Sequence, residues 1–223
     1  VRAVLFDLDG TLLDTAPDMG AAINALLHEE SLPPLSAERI RPHVSHGSNG
    51  LVRLAFGDAD PIAFESRRQR FLTLYAACLT QGTRPFAGML ELLRVLEVAG
   101  IAWGVVTNKP GWLTDPLLAH LALAERAACV VSGDTLPQRK PHPAPLLHAA
   151  RQLAVDPADC VYVGDAERDV TSASAAGMHP VVARYGYLGD HDDLTSWPTH
   201  ASIEAPLDLL TLLGLEARVR AHA

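Results

Sequence analysis

Val1-Arg-Ala-Val-Leu-Phe-Asp7-Leu-Asp9-Gly10-Thr11-Leu-Leu-Asp14-Thr15 is the stretch that decides the fold. A run of Val, Leu and Phe ends in two carboxylates and a Gly-Thr pair. Continuous apolar runs of this length are the mark of a strand buried on both faces. In extended backbone, residues i and i+2 point the same way. Asp7 and Asp9 therefore belong together at the carboxyl end of a core strand. Two like charges so close are costly unless a cation or a proton separates them. The pair suggests a hard metal ion, with one carboxylate left over for chemistry. Asp and Gly also favour turns, so a plain turn after the strand competes with that reading. A helix-loop-helix calcium site fails on register. Its loop wants Gly at the sixth position, where this chain has Leu12, and Gly10 falls fourth.

The chain has 223 residues, enough for one large domain or a domain with an insertion. Its net charge is −8, and its 18 Lys and Arg are scattered. Nucleic-acid binding needs a basic face, so nucleic acid is not an expected partner. An anionic small molecule remains compatible, because one Lys, a metal and a few amides can reverse the field locally. Cys78, Cys129 and Cys160 are an odd number set among apolar residues. Reduced buried thiols and a cytoplasmic location are expected. No apolar span is long enough to cross a membrane, and there is no signal-peptide pattern.

Residues 15–30 carry apolar side chains at helical spacing (Ala16, Met19, Ala22, Ile23, Leu26, Leu27). Ser31-Leu-Pro-Pro-Leu-Ser36 breaks the pattern, with Ser36 a candidate N-cap. Helical pattern then runs to about residue 80, interrupted near 42–50 and 57–61. No strand is expected between 15 and 84. From Pro85 onward, strands and helices alternate. Strands are expected over about 101–106, 128–131, 160–163, 180–183 and, weakly, 200–203. Helices are expected over about 88–99, 111–122, 143–154, 167–176 and 205–213. Alternation with strands apolar on both faces predicts an α/β fold: a Rossmann-like parallel sheet core with an inserted all-helical cap domain. The expected division is a core of residues 1–14 plus 85–223 and a cap of residues 15–84.

Open parallel sheets bind ligands outside the carboxyl ends of their strands. Asp7 and Asp9, Thr107 and Asn108, Asp134, and Asp165 all fall at such ends, with Lys140 in a loop on the same side. Asp134 alone is read as a simple loop carboxylate.

Together these residues resemble the haloacid dehalogenase-like hydrolases, whose four motifs occur here in order. Asp7-Leu-Asp9-Gly10-Thr11 matches the first. Thr107 closing Gly104-Val-Val-Thr107-Asn108 matches the second. Lys140 in Lys140-Pro-His-Pro143 matches the third, and Gly164-Asp165-Ala-Glu-Arg-Asp169 the fourth. The resemblance implies that Asp7 is the nucleophile and forms an aspartyl-phosphate. It implies that Asp9 is the general acid and then the base. Thr107 would bind the phosphoryl oxygens, with Asn108 beside it as a substrate-binding candidate. Lys140 would neutralise charge as a compact ammonium. Mg2+ would be held by Asp7, the backbone carbonyl of Asp9, and Asp165. Asp169 would support that set or serve as a weaker ligand.

Asp9 also narrows the class. Family members that are dehalogenases lack an Asp two residues after the nucleophile, phosphonate hydrolases typically carry Ala there, and transport ATPases carry Thr. Asp9 thus implies a phosphomonoesterase or a sugar phosphomutase acting on a small-molecule phosphate ester. The protein is expected to be a monomer or homodimer. In the cap, Ser45-His-Gly-Ser-Asn-Gly50 reads as a small-residue loop ahead of a helix. Ser45 and Gly47 are substrate-binding candidates there. Arg84, with Arg41 and Arg53, could grip a carboxylate, and His46 could add polarity. Asp14 and Thr15 on the way out, and 83–85 on the return, form the expected hinge. The tail, Arg184-Tyr-Gly-Tyr187 followed by Asp190, Asp192, Asp193 and Trp197, resembles the phosphoglycolate phosphatase-like branch. That tail, Thr107-Asn-Lys-Pro110 and Pro85-Phe-Ala-Gly-Met89 also resemble N-acetylmuramic acid 6-phosphate phosphatases. The best-fitting activity is 2-phosphoglycolate phosphatase, with the muramic acid ester or another sugar phosphate as the alternative. The two differ mainly in bulk.

Overall fold

The computed structural model describes residues 1–58, 60–189, 192–199 and 201–215. Asp190, the first residue of the predicted 200–203 strand, and the last residues of the predicted core lie outside them. The chain runs β1 (Ala3–Phe6), β2 (Leu13–Asp14), α1 (Ala16–Glu29), α2 (Ala37–Ile40), α3 (Gly47–Phe56), α4 (Pro61–Cys78) and β3 (Arg84–Pro85). It continues through α5 (Met89–Val98), β4 (Ala102–Val106), α6 (Gly111–His120), β5 (Cys129–Val131), α7 (Ala144–Leu153) and β6 (Cys160–Gly164). It ends with α8 (Glu167–Ala175), β7 (His179–Ala183), β8 (Ala201–Ile203) and α9 (Asp208–Leu212).

Six strands form one sheet in the order β5-β4-β1-β6-β7-β8, all parallel. β1 is apolar throughout because both of its faces are covered. Val4 and Phe6 enter one hydrophobic cluster, with Leu92, Leu96 and Leu117 of α5 and α6. Ala3 and Leu5 enter another, with Leu146, Ala149 and Ala173 of α7 and α8. That alternation is the two-residue period of a strand. Cys129 and Cys160 are buried free thiols in the second cluster.

The strand order places the site. β1 lies between β4 and β6, where the chain's direction of travel across the sheet reverses. Phe6 is in register with Val105 and with Val163. One residue further, Asp7 ends β1 level with the ends of both neighbours. Thr107 and Asp165, which follow those strands, are brought beside it. This is the crevice where open α/β sheets bind ligands.

Between β2 and β3 every regular element among the described residues is helical. β2 and β3 form a two-residue antiparallel pair, Leu13 with Pro85 and Asp14 with Arg84. The outgoing and returning chains therefore meet at the predicted hinge. Ile23, Leu26, Leu51 and Phe71 of the helices join the same apolar cluster as Val4 and Phe6, so the insertion packs onto the sheet domain. One local expectation fails. Residues 45–50 are not a loop: a 3-10 turn spans Arg41–His46, and α3 begins at Gly47. Gly47 takes φ +63, which reverses the chain without side-chain strain. Asn49 and Gly50 are poor helix formers, but burial of Leu51 and Val52 behind them outweighs their propensity.

Candidate active site

Asp7, Asp165 and Asp169 each present a carboxylate oxygen within 4.8 Å of the others, and all three are buried. Lys140 lies among them. Its Nζ is 2.8 Å from Asp7 Oδ1 and 2.8 Å from Asp169 Oδ1, and it donates to the Tyr162 hydroxyl at 2.7 Å. Tyr162 in turn donates to the Val106 carbonyl at 2.8 Å. The ammonium is thus held by three short contacts, a task that suits a compact point charge. Asn108 fixes its backbone. The side chain of Asn108 accepts from Lys140 N at 3.0 Å and donates to Lys140 O at 2.9 Å. Expected to bind substrate, Asn108 has its amide engaged in positioning Lys140.

Asp7 Oδ1 also accepts from Leu8 N at 2.7 Å. Its other oxygen accepts no hydrogen bond among the described residues. Burial works to raise the Asp7 pKa, but Lys140 and then Arg168 outweigh it, and the carboxyl is held below its usual range. Asp165 is opposite. Burial, then Asp7 and Asp169, push it up to about 7. Too few cations face these three carboxylates to ionise all of them. An oxygen-only donor set of buried carboxylates with one held partly protonated fits a hard divalent cation. Asp169 Oδ2 accepts from Ala166 N at 3.0 Å, so both of its oxygens are occupied. It holds Lys140 from behind.

Asp9 points to a different partner. Lys109 Nζ reaches both of its oxygens, and Thr15 Oγ1 donates to Oδ1 at 2.7 Å. Burial disfavours the Lys109 ammonium, but Asp9 overrides this and holds it above the ordinary lysine range. Thr107 follows β4, anchored by its N–H on the Val131 carbonyl at 2.9 Å. Its Oγ1 accepts from Lys109 N at 3.1 Å.

A cavity of about 1150 Å3 separates the strand ends from the helical insertion. Asp7, Asp9, Thr107 and Lys109 form its floor. Ser45, Gly47 and Tyr75 face them from the insertion. Ser45 does more than line it: its Oγ donates to Asp165 Oδ2 at 2.6 Å, and its carbonyl accepts from Arg168 at 2.6 Å. His46 lines the same wall, and burial, ahead of Arg168, pushes its pKa down.

Arg84 is not brought to the site. Antiparallel pairing of β3 turns it to the surface, where it donates to the carbonyls of Thr83 and Gln81. Arg41 is committed to Asp14 at 3.1 Å, and Arg53 pairs with Asp58 at 2.9 Å while edging the cavity. Asp134 accepts from Gly111 N at 2.8 Å, the structural role expected of it. Lys109, Tyr75, Arg168 and Tyr187 were not singled out as site residues from sequence. Lys109 directly after Thr107-Asn108, Arg168 inside the fourth motif and Tyr187 in the quoted tail segment each lie beside residues the sequence points to, whereas Tyr75 carries no local signal.

Residues 4–183 match the family model described as haloacid dehalogenase-like hydrolase. The chain is 49% identical over 209 residues to a phosphoglycolate phosphatase of Xanthomonas campestris pv. campestris, covering 93% of this chain and 94% of the relative. It is 41% identical over 214 residues to an N-acetylmuramic acid 6-phosphate phosphatase of Pseudomonas aeruginosa, covering 96% and 95%. Among solved structures, a crystal structure described as a predicted phosphoglycolate phosphatase from Haemophilus somnus superposes with a TM-score of 0.84. It is 26% identical and covers 95% of this chain and 97% of that one.

Proposed function

The chain belongs to the haloacid dehalogenase-like hydrolases, and from that premise we propose that it is a Mg2+-dependent phosphatase of small-molecule phosphate monoesters, working through an aspartyl-phosphate on Asp7. The observation that carries the reading is Lys140, held 2.8 Å from both Asp7 and Asp169 beside the raised carboxyl of Asp165. Phosphoryl transfer needs positioning and charge neutralisation above all, and these residues supply both.

The free oxygen of Asp7 attacks phosphorus as the bond to the leaving oxygen breaks, and Asp9 gives that oxygen its proton. Water then attacks the aspartyl-phosphate. Asp9 takes a proton from it, and the bond between Asp7 and phosphorus breaks, releasing phosphate. Thr107 and Lys140 bind the phosphoryl oxygens throughout. Bound by Asp7, Asp165 and the Asp9 carbonyl, Mg2+ would supply further charge neutralisation to the phosphoryl group. Residues 15–84 act as a cap that excludes water, and residues 1–14 and 85–223 as the hydrolase core.

The cavity is partly open to solvent and has room for a bulky leaving group. Sites for drug-sized ligands occupy about 300–1,000 Å3, and a two-carbon acid such as glycolate would leave most of this cavity wet. Trp112, on the rim, is 53% exposed and offers a free aromatic face to a sugar ring. These two features support a sugar-acid phosphate of the N-acetylmuramic acid 6-phosphate kind as the substrate. The name of the 49% identical relative favours 2-phosphoglycolate as the second reading. Phosphate release from both, and from hexose phosphates, with and without Mg2+, separates them. Asp7→Asn should abolish release. No release from any ester by the folded wild type sinks the phosphatase reading, and isomer formation in its place would indicate a mutase.

A further inference from the structure

Tyr75 carries the one buried side-chain polar atom that lacks a hydrogen-bond partner among the described residues. It sits on α4, 1% exposed, with its ring against the cavity that holds Asp7 and Asp9. One side of the ring stacks on Phe71, at 6.1 Å between centroids and 14° between planes. Lys109 Nζ lies over the ring, 4.6 Å from its centroid, with its hydrogen bonds directed to Asp9.

An unpartnered buried hydroxyl costs about 1–3 kcal/mol. Phenylalanine would fill the same space without that cost, so the packing of Tyr75 leaves its oxygen unexplained. Of the neighbouring polar groups, the Lys109 ammonium faces the phenol, but its short bonds go to Asp9 and it holds the Tyr75 oxygen outside hydrogen-bond geometry. The Asp9 carboxylate is taken by Lys109 and Thr15, and the Asp18 carboxylate by the backbone of Gly82 and by Thr83. What remains is the cavity's occupant.

We propose that Tyr75 is a specificity-determining residue whose hydroxyl hydrogen-bonds an oxygen of the substrate's organic part, next to the ester oxygen that Asp9 protonates. The group it reads is a hydroxyl, ring oxygen or carboxylate oxygen close to the phosphoester. The geometry agrees with that placement: Tyr75 and Asp9 flank the same ammonium, so a leaving group delivered to Asp9 passes the phenol. A site built to hydrogen-bond a substrate oxygen discriminates strongly against esters that lack it. This inference rests on the phosphatase reading and adds a cap residue to it.

The test is Tyr75→Phe, which removes the oxygen alone. Wild type and variant are compared on whichever of N-acetylmuramic acid 6-phosphate and 2-phosphoglycolate the wild type hydrolyses faster. Both are also compared on p-nitrophenyl phosphate, which has no oxygen near its ester linkage. The expected result is a fall in kcat/KM of about 10- to 100-fold on the oxygenated ester. Values for p-nitrophenyl phosphate should agree within about twofold. The melting temperature should hold or rise, because a buried unpartnered hydroxyl has been removed. Equal losses on both esters, no loss on either, or a lower melting temperature overturns the proposal alone. Failure of the wild type to hydrolyse any ester overturns the phosphatase reading and this inference with it.

Discussion

Lys109 grips both carboxylate oxygens of Asp9, at 2.8 Å to Oδ1 and 3.1 Å to Oδ2. The pair joins the loop after β4 to the loop after β1, and with Thr15 it fixes the plane of the carboxylate assigned to proton transfer. Removing one partner of a fully buried pair costs about 3–5 kcal/mol. Here the Asp9 side chain keeps 17% exposure against 4% for Lys109. Lys109→Met is therefore expected to cost nearer 2 kcal/mol, since water in the cavity can solvate the abandoned carboxylate. Turnover should fall about 10²-fold, less than for Asp9→Asn, because the acid is misaligned and not absent. Denaturant melts and steady-state kinetics check both. Turnover equal to wild type would mean that Asp9 needs no such brace.

Asp165 gives the proposed metal site a pH dependence whose sign is fixed. Its carboxyl is raised from 3.8 to about 7 by burial and by Asp7 and Asp169. The metal-free folded state therefore holds this proton more tightly than the unfolded chain. That contribution to stability is complete below about pH 3.8 and is lost as pH rises through about 7. A cation competes with the same proton, so its affinity should climb with pH and level off above about 7. Millimolar Mg2+ should raise the melting temperature more at about pH 8 than at about pH 6. In Asp165→Asn the two increments should be equal and small. An Mg2+ increment that ignores pH in the wild type would count against Asp165 as a ligand.

The sheet and the floor of the site were legible because their signals are local. Asp7, Thr107 and Asp165 each terminate an apolar run, and parallel strands deliver run ends to one edge. Asn108 was legible as a neighbour of the site, but not in its role. Its pairing with the Lys140 backbone links residues 32 apart in the chain, and no periodicity encodes that. Tyr75 shows the same limit from the other side. Its spacing from Phe71 marks a buried helix face, and burial alone does not separate a packing ring from one that borders a cavity. Arg84 misled because a charge beside a hinge is visible in sequence, whereas the direction set by the β2–β3 pairing is not.

Gly10 offers a test of how closely the first and fourth motifs approach. Its φ is +85, and a Cβ there would lie 2.1 Å from Asp165 Oδ2 and 2.8 Å from the Tyr187 ring. Gly10→Ala combines a left-handed backbone penalty of about 1–2 kcal/mol with that clash. Asp165 must move to relieve it. Weaker Mg2+ activation is expected, by about 10-fold or more in the concentration required, together with a lower melting temperature. Titration of activity against Mg2+ reads the first effect. An unchanged activation curve in a destabilised variant would show that Asp165 keeps its place.

Tyr187 fastens the start of the cap to the core. Its hydroxyl accepts from Thr15 N at 2.6 Å and Ala16 N at 2.9 Å, and donates to Asp14 Oδ1 at 2.8 Å. Those two amides open α1 and have no partner within the helix. Asp14 also pairs with Arg41, whose guanidinium lies 4.8 Å from the Tyr187 ring centroid. The Arg41–Asp14 pair is 40% and 31% exposed, so Arg41→Ala is expected to cost under about 1 kcal/mol. Tyr187→Phe strips the partner from one buried and one half-buried helix amide and from one carboxylate oxygen, and should cost about 2–3 kcal/mol. Because the loss falls beside the β2–β3 pair, the proposed hinge, KM should rise more than kcat falls, as closure becomes less well defined. Chemical denaturation of the two variants, with kinetics on one ester, decides the order. Should Arg41→Ala prove the more damaging, the surface ion pair and not the tyrosine hydroxyl secures the cap.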